Sequence, residues 1–130
     1  MRGKAAELWE QKLKGIFDRI DVELEEQYAG RYRLHPARRE HGETDNPEMS
    51  GLFNVGASFT AGFGSRHGRG YAVQWRMVTL ERIDPADEQR IEDHVVSRLR
   101  EELPAAFPGR ELKVERDHHA YKIVGDLGFD

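Results

Sequence analysis

Two stretches of alternating apolar and polar residues occupy the middle of the chain, between residues 51 and 81. The apolar residues of the first stretch stand at odd positions: Phe53, Val55, Ala57, Phe59, Ala61 and Phe63. Those of the second stretch do the same: Tyr71, Val73, Trp75 and Met77. A period of two predicts β-strands with one buried face. Glycines within segment 64–70 can take the backbone angles of a turn, so we predict an antiparallel hairpin.

A helical pattern precedes this hairpin. Between residues 4 and 29, apolar residues recur three or four positions apart: Trp9, Leu13, Ile16, Phe17, Ile20, Leu24 and Tyr28. This spacing places them on one face of an amphipathic helix, and Gly30 follows as a stop signal. We expect the apolar face to pack on the sheet. A dimer seam along part of it is the alternative interpretation.

A second helix is predicted to follow the hairpin. Asp84 can cap its first turn, Pro85 suits the first helical position, and Asp87 favours the positive end of the helix dipole. The apolar stripe then runs at four-residue steps: Ile91, Val95, Leu99 and Leu103. We predict that Pro104 ends the helix and that Phe107 turns inward.

Alternation returns near the end of the chain, over 111–116 and 120–125, with a tight turn at 117–119. The predicted order is therefore α-β-β-α-β-β. It describes an α+β two-layer sandwich, a four-stranded antiparallel sheet covered on one face by two helices. Residues 1–130 are expected to form one domain. Its long irregular loop, 31–50, is either disordered or anchored by Tyr32, Leu34 and Met49.

Composition narrows the functional classes. The chain has no cysteine, which excludes disulfides and thiolate chemistry. No apolar run is long enough for a membrane span, and 34% of the residues are charged, with a net charge of −4. These features predict a cytoplasmic protein without a membrane partner.

The positive charge is concentrated in one region. Residues 31–76 carry a net charge of +3, and the rest of the chain carries −7. All seven cations of this region are arginines, whose planar guanidinium can form bidentate hydrogen bonds with phosphate or carboxylate. An arginine-rich composition throughout the chain is the simpler explanation of this clustering.

The predicted sheet face away from the helices is a candidate ligand surface. Its residues are small or polar: Asn54, Gly56, Ser58, Thr60, Gln74 and Arg76. Such a face lets a ligand approach the backbone closely. Our leading hypothesis is a binding domain for an anionic ligand, with nucleic acid or a phosphorylated molecule as candidates. The candidate ligand-binding residues are Arg31, Arg33, Arg38, Arg39, Arg66, His67, Arg69 and Arg76. An ordinary solvated face is the competing interpretation.

Other functional classes have weaker signals. The glycine-rich segment 64–70 lacks the Gly-Lys-Ser/Thr of a phosphate-binding loop. Candidate metal ligands on loop 31–50 have no rigid element to fix them, so we predict neither a metal nor a cofactor: His41, Glu43, Asp45 and Glu48.

Two alternatives to ligand binding remain open. One is an enzyme that acts on a phosphorylated or carboxylated small molecule. Its candidate acid–base and nucleophilic residues are His35, His41, His67, Ser58 and Thr60. The other is a protein-interaction module that uses the open face or an exposed sheet edge.

Overall fold

The computed structural model describes residues 4–40, 50–62 and 68–127, with side chains from residue 7 onward. Its elements follow the predicted order. They are helix α1 (Lys4–Gln27), strands β1 (Phe53–Thr60) and β2 (Gly70–Met77), helix α2 (Pro85–Ala106), and strands β3 (Leu112–Asp117) and β4 (Ala120–Gly125). The fold class is thus confirmed: two helices and one four-stranded antiparallel sheet form a two-layer α+β arrangement.

The strands lie in the order β1-β2-β4-β3, so β1 and β3 are the edges. β1 and β2 pair over their full length, from Phe53 opposite Met77 to Thr60 opposite Gly70. β3 and β4 form a hairpin closed by a two-residue turn, in which His118 has a φ of 59°. The tight turn predicted there is confirmed.

The core lies between the helices and the odd-numbered face of β1 and β2. Every member of the predicted α1 stripe is buried, and Ile20 and Leu24 are fully so. They pack with the α2 stripe and with apolar residues of the sheet: Phe53, Val55, Tyr71, Val73, Met77, Val114 and Ile123. Phe107 also turns inward as predicted and stacks on Trp9, with ring centroids 3.9 Å apart. Residues with the predicted period of 3.6 or 2 therefore fill the interior.

The ends of α2 confirm one prediction and correct another. The Asp84 side chain accepts a hydrogen bond from the Ala86 N–H, as expected of a cap. Pro104, however, does not end the helix, which continues to Ala106. Proline lacks an N–H, so the helix loses the hydrogen bond to the Arg100 carbonyl. The last turn is still closed, because the N–H of Phe107 donates to the Leu103 carbonyl at 2.9 Å.

The predicted end of the first strand is slightly wrong. The first strand was expected to run to Phe63 but ends at Thr60, after which Gly62 takes a φ of +84°. Ala61, predicted to be buried, is exposed, and Phe63 lies outside the described residues.

The first part of the predicted loop, segment 31–40, is anchored: Tyr32 and Leu34 pack on the core, and the N–H of His35 donates to the Val78 carbonyl. Met49 and the rest of 41–49 lie outside the described residues.

Gly70 offers a test of how tightly β2 meets β4. A Cβ atom at Gly70 would lie 2.4 Å from the Ile123 carbonyl oxygen, whereas a Cβ at the helical Gly15 would meet nothing closer than 3.8 Å. We expect Gly70→Ala to lower the free energy of unfolding by roughly 1–3 kcal/mol through overpacking. The control Gly15→Ala should raise it by roughly 0.5–1 kcal/mol. Urea denaturation measures both, and equal effects of the two substitutions would contradict the close approach of the strands.

Candidate functional site

The β1–β2 half of the open sheet face is almost uncharged. The pairing register places eight residues on this half in four cross-strand pairs: Asn54 with Arg76, Gly56 with Gln74, Ser58 with Ala72, and Thr60 with Gly70. Arg76 is the one charged residue of the eight, and its side chain is exposed. The half-face thus carries one cation and no anion, in a chain whose net charge is −4.

A groove of about 550 Å³ lies over these strands. Its lining consists of three small residues, three polar or charged ones and one tryptophan: Gly56, Ala57, Ser58, Asn54, Gln74, Arg76 and Trp75. Amide, hydroxyl and guanidinium groups all donate hydrogen bonds. The groove can therefore surround an anion with donors and balance its charge with Arg76.

A lysine on the other half of the same face is covered. Lys122 of β4 lies beside Ala72 in the sheet, yet its side chain is only 5% exposed. Its Nζ lies 2.9 Å from a carboxylate oxygen of Asp117 and donates to the Gly68 carbonyl at 2.6 Å. Gly68, just before β2, therefore lies against the Lys122 side chain of β4. Sequence reasoning missed this contact, because a lysine in an alternating strand is typical of a solvated position.

Two of the candidate arginines are engaged in holding the fold together. The Arg38 guanidinium donates to the carbonyl oxygens of residues 50, 51 and 53, at 3.1–3.3 Å. Arg31 lies 3.2 Å from the carboxylate of Asp87 and over the ring of Tyr28. Both side chains therefore anchor segment 31–40 to its neighbours.

The remaining candidates divide by position. The side chains of Arg33 and Arg39 are exposed on segment 31–40, and Arg69 is exposed next to Gly68. Arg66 and His67 lie outside the described residues. Of the eight candidate ligand residues, Arg76 is the one that lines the groove. Among the described residues, therefore, the candidate arginines do not cluster at the groove.

Asp87 joins the end of α1 to the start of α2. Its carboxylate is 1% exposed and accepts hydrogen bonds from the Tyr32 hydroxyl at 2.7 Å and from Arg90 at 2.8 Å, in addition to Arg31. The Tyr32 hydrogen bond, helped by the two guanidinium charges and opposed by burial, lowers the pKa of Asp87. The same bond raises the pKa of Tyr32. This cluster is a structural anchor of segment 31–40.

Two of the described histidines, His35 and His94, have structural contacts of their own. His35 Nδ1 accepts a hydrogen bond from the Ala37 N–H at 3.0 Å, and His94 lies 2.9 Å from Glu23 across the two helices. Neither ring lines the groove. Among residues 4–40, 50–62 and 68–127, no three histidine or carboxylate side chains are grouped as metal ligands. His41, Glu43, Asp45 and Glu48 are outside these ranges.

Comparison with known proteins identifies a family and a relative that are both described as uncharacterised. A family model described as "Uncharacterised protein" matches residues 4–125. The chain belongs to this family. It is also 36% identical over 106 residues to an uncharacterized protein of Borreliella burgdorferi. The aligned region covers 82% of this chain and 83% of that relative. No solved structure matches the chain. In the described part of this family member, neither helix has an apolar stretch that could cross a bilayer.

The Asp87 cluster predicts an acid-sensitive stability. Because the folded pKa of Asp87 is lowered, its stabilising contribution is present above the ordinary value of 3.8 and is lost as the pH falls through the folded value. The raised pKa of Tyr32 acts at the other end, since its contribution is lost as the pH rises beyond the ordinary value of 10.0. We expect the urea midpoint of unfolding to decrease less at acid pH in Asp87→Asn than in the unaltered protein.

Asp93→Asn, which changes an exposed carboxylate of the same helix, is the matched control. Equal decreases of the urea midpoint at acid pH in Asp87→Asn and Asp93→Asn would contradict the assignment to Asp87.

Proposed function

We propose that this protein is a cytosolic binding domain for an anionic ligand and that the ligand lies in the groove over β1 and β2. The observation that carries the proposal is the charge of this surface. Five of the eight open-face positions line the groove of this acidic protein, and they include a single arginine and no carboxylate. An anion approaching this half-face meets one attractive charge and no repulsive one.

The chemistry of the groove supports a phosphate or carboxylate group as the part of the ligand that is recognised. Arg76 offers a planar pair of donors, and it stands directly across from Asn54, whose amide can donate to the same anion. Gly56 and Ser58 are small, so an anion can approach the strand closely. We therefore place the anionic group of the ligand between Arg76 and Ser58.

The same face favours contact with a nucleic-acid backbone over contact with bases. Proteins that bind single strands without sequence preference stack bases on aromatic side chains. None of the eight open-face positions of β1 and β2 carries an aromatic residue, and Trp75, which also lines the groove, stands at an odd position of β2 that belongs to the helix side. Nucleic acid, as a ligand, would be held through its phosphates, with Arg69 and Arg66 of the β1–β2 connection as further cations.

A chemical-shift titration tests this proposal. Inorganic pyrophosphate and a short single-stranded RNA are added in turn to the ¹⁵N-labelled protein, at low salt and near ~0.2 M, where phosphate contacts weaken. We expect localised shifts at residues 54–58 and 72–76. Arg76→Gln should weaken pyrophosphate binding about tenfold, because it removes a charge-assisted hydrogen bond.

Arg19→Gln is the matched control. It makes the same change of charge on the helix layer, where Arg19 forms an exposed ion pair with Glu102. Equal affinities of the Arg76 and Arg19 variants for pyrophosphate, or an absence of shifts at the two strands, would refute the proposed site.

A further inference from the structure

The pairing of β1 with β2 decides which backbone groups face the outer edge of the sheet. The N–H of Val78 donates to the carbonyl of Leu52 at 2.7 Å, in line with the register of the two strands. Hydrogen-bonded pairs alternate in an antiparallel ladder, so even residues of β1 bond to β2 and odd residues turn outward. Phe53 follows this rule: its N–H donates to Glu25 and its carbonyl accepts from Arg38.

Some outward groups on the two sheet edges are hydrogen-bonded or buried, whereas no described residue bonds to those of Ala57. On the β3 edge, Arg100 donates to the Val114 carbonyl at 2.8 Å. On the β1 edge, Phe53 is bonded as above and Val55 is fully buried. Ala57 is half-buried, and no hydrogen bond from the described residues reaches its outward N–H or carbonyl. Ala57 is therefore a point of the β1 edge at which another strand can pair.

Two cavities meet at this point of the edge. The open-face groove and a second cavity of about 210 Å³ on the helix side are both lined by Gly56 and Ala57. The second cavity has an apolar floor and a charged rim: Leu13, Phe17 and Tyr71, with Glu10 and Lys14. An extended chain alongside Ala57 would touch both cavities, because its successive side chains point to opposite faces.

We propose that the natural ligand is an extended peptide that adds a strand to the β1 edge at Ala57 and carries an apolar residue next to an acidic one. The apolar side chain enters the 210 Å³ cavity between α1 and β1. The neighbouring acidic side chain lies over Gly56, which has no side chain to separate it from Arg76. The backbone supplies binding energy and the two cavities supply sequence preference, as in other cases of strand addition. This inference rests on the proposed anion site for its acidic residue.

A blocked pentapeptide, Ser-Glu-Leu-Glu-Ser, tests the pairing, with Ser-Gln-Leu-Gln-Ser as its neutral partner. Ala57→Pro removes the outward N–H, and proline is tolerated at such edge positions because the ladder to β2 does not use that donor. We expect Ala57→Pro to weaken binding of the acidic peptide at least about fivefold, whereas Ala57→Ser, which keeps the N–H, should change it less than about twofold. Chemical-shift titration measures the affinity of the unaltered protein for both peptides and the affinity of the two variants for the acidic peptide.

A second measurement does not depend on the folding of a variant. The acidic peptide methylated at the leucine nitrogen cannot donate to Ala57, and we expect it to bind the unaltered protein at least about fivefold more weakly than its parent. Equal binding of the methylated and parent peptides overturns strand addition.

The remaining outcomes separate this inference from the proposed function. Sensitivity to Arg76→Gln without sensitivity to Ala57→Pro or to methylation keeps the anion site and overturns the edge pairing. Equal affinity for the acidic and neutral peptides overturns the acidic partner, whereas pyrophosphate binding tests the anion site by itself. A dimer in sedimentation that Ala57→Pro dissociates would assign the edge to a second copy of the chain and overturn the peptide.

Discussion

The register between β1 and β2 is the constraint on which the rest of the structure depends. It sets Phe53 opposite Met77 and places all odd residues of both strands on the helix side. A slip of one residue would exchange the two faces, so that Asn54 and Gln74 would face the helices and Phe53 would face water. The buried core, the nearly uncharged groove and the outward groups of Ala57 are thus three results of one pairing. Few alternative pairings could bury the same aromatic residues.

Much of the fold could be predicted because its signals are local. The α1 stripe has a spacing that only a helix can gather on one face, and Asp84-Pro85 is a start signal that acts within one turn. The open face followed from the same alternation that predicted the strands. Pro104 was misjudged because the effect of a proline depends on how many helical bonds remain after it, and only one turn remained.

The functional surface was harder to predict because its partners are distant in sequence. A cluster of arginines indicates positive charge, but it does not reveal that Arg38 is bound to nearby carbonyl groups or that Arg31 faces Asp87, which lies on the second helix. Lys122 was hard to predict for the same reason, since its side chain bonds to the carbonyl of Gly68, which is distant in sequence. Arg76 was predictable as an open-face residue because strand alternation alone determines its side of the sheet.

The strand order has a consequence for how the chain reaches this structure. β1 with β2, and β3 with β4, are hairpins whose closing residues are near neighbours in sequence, such as Asp117 and Ala120. Within the sheet, the two hairpins meet where β2 pairs with β4, and there Tyr71 pairs with Ile123 from the far end of the chain. Local loops close at a lower entropic cost than long ones. We therefore expect the hairpins to form early and the central β2–β4 seam to form last, which makes the middle of the sheet the late event of folding.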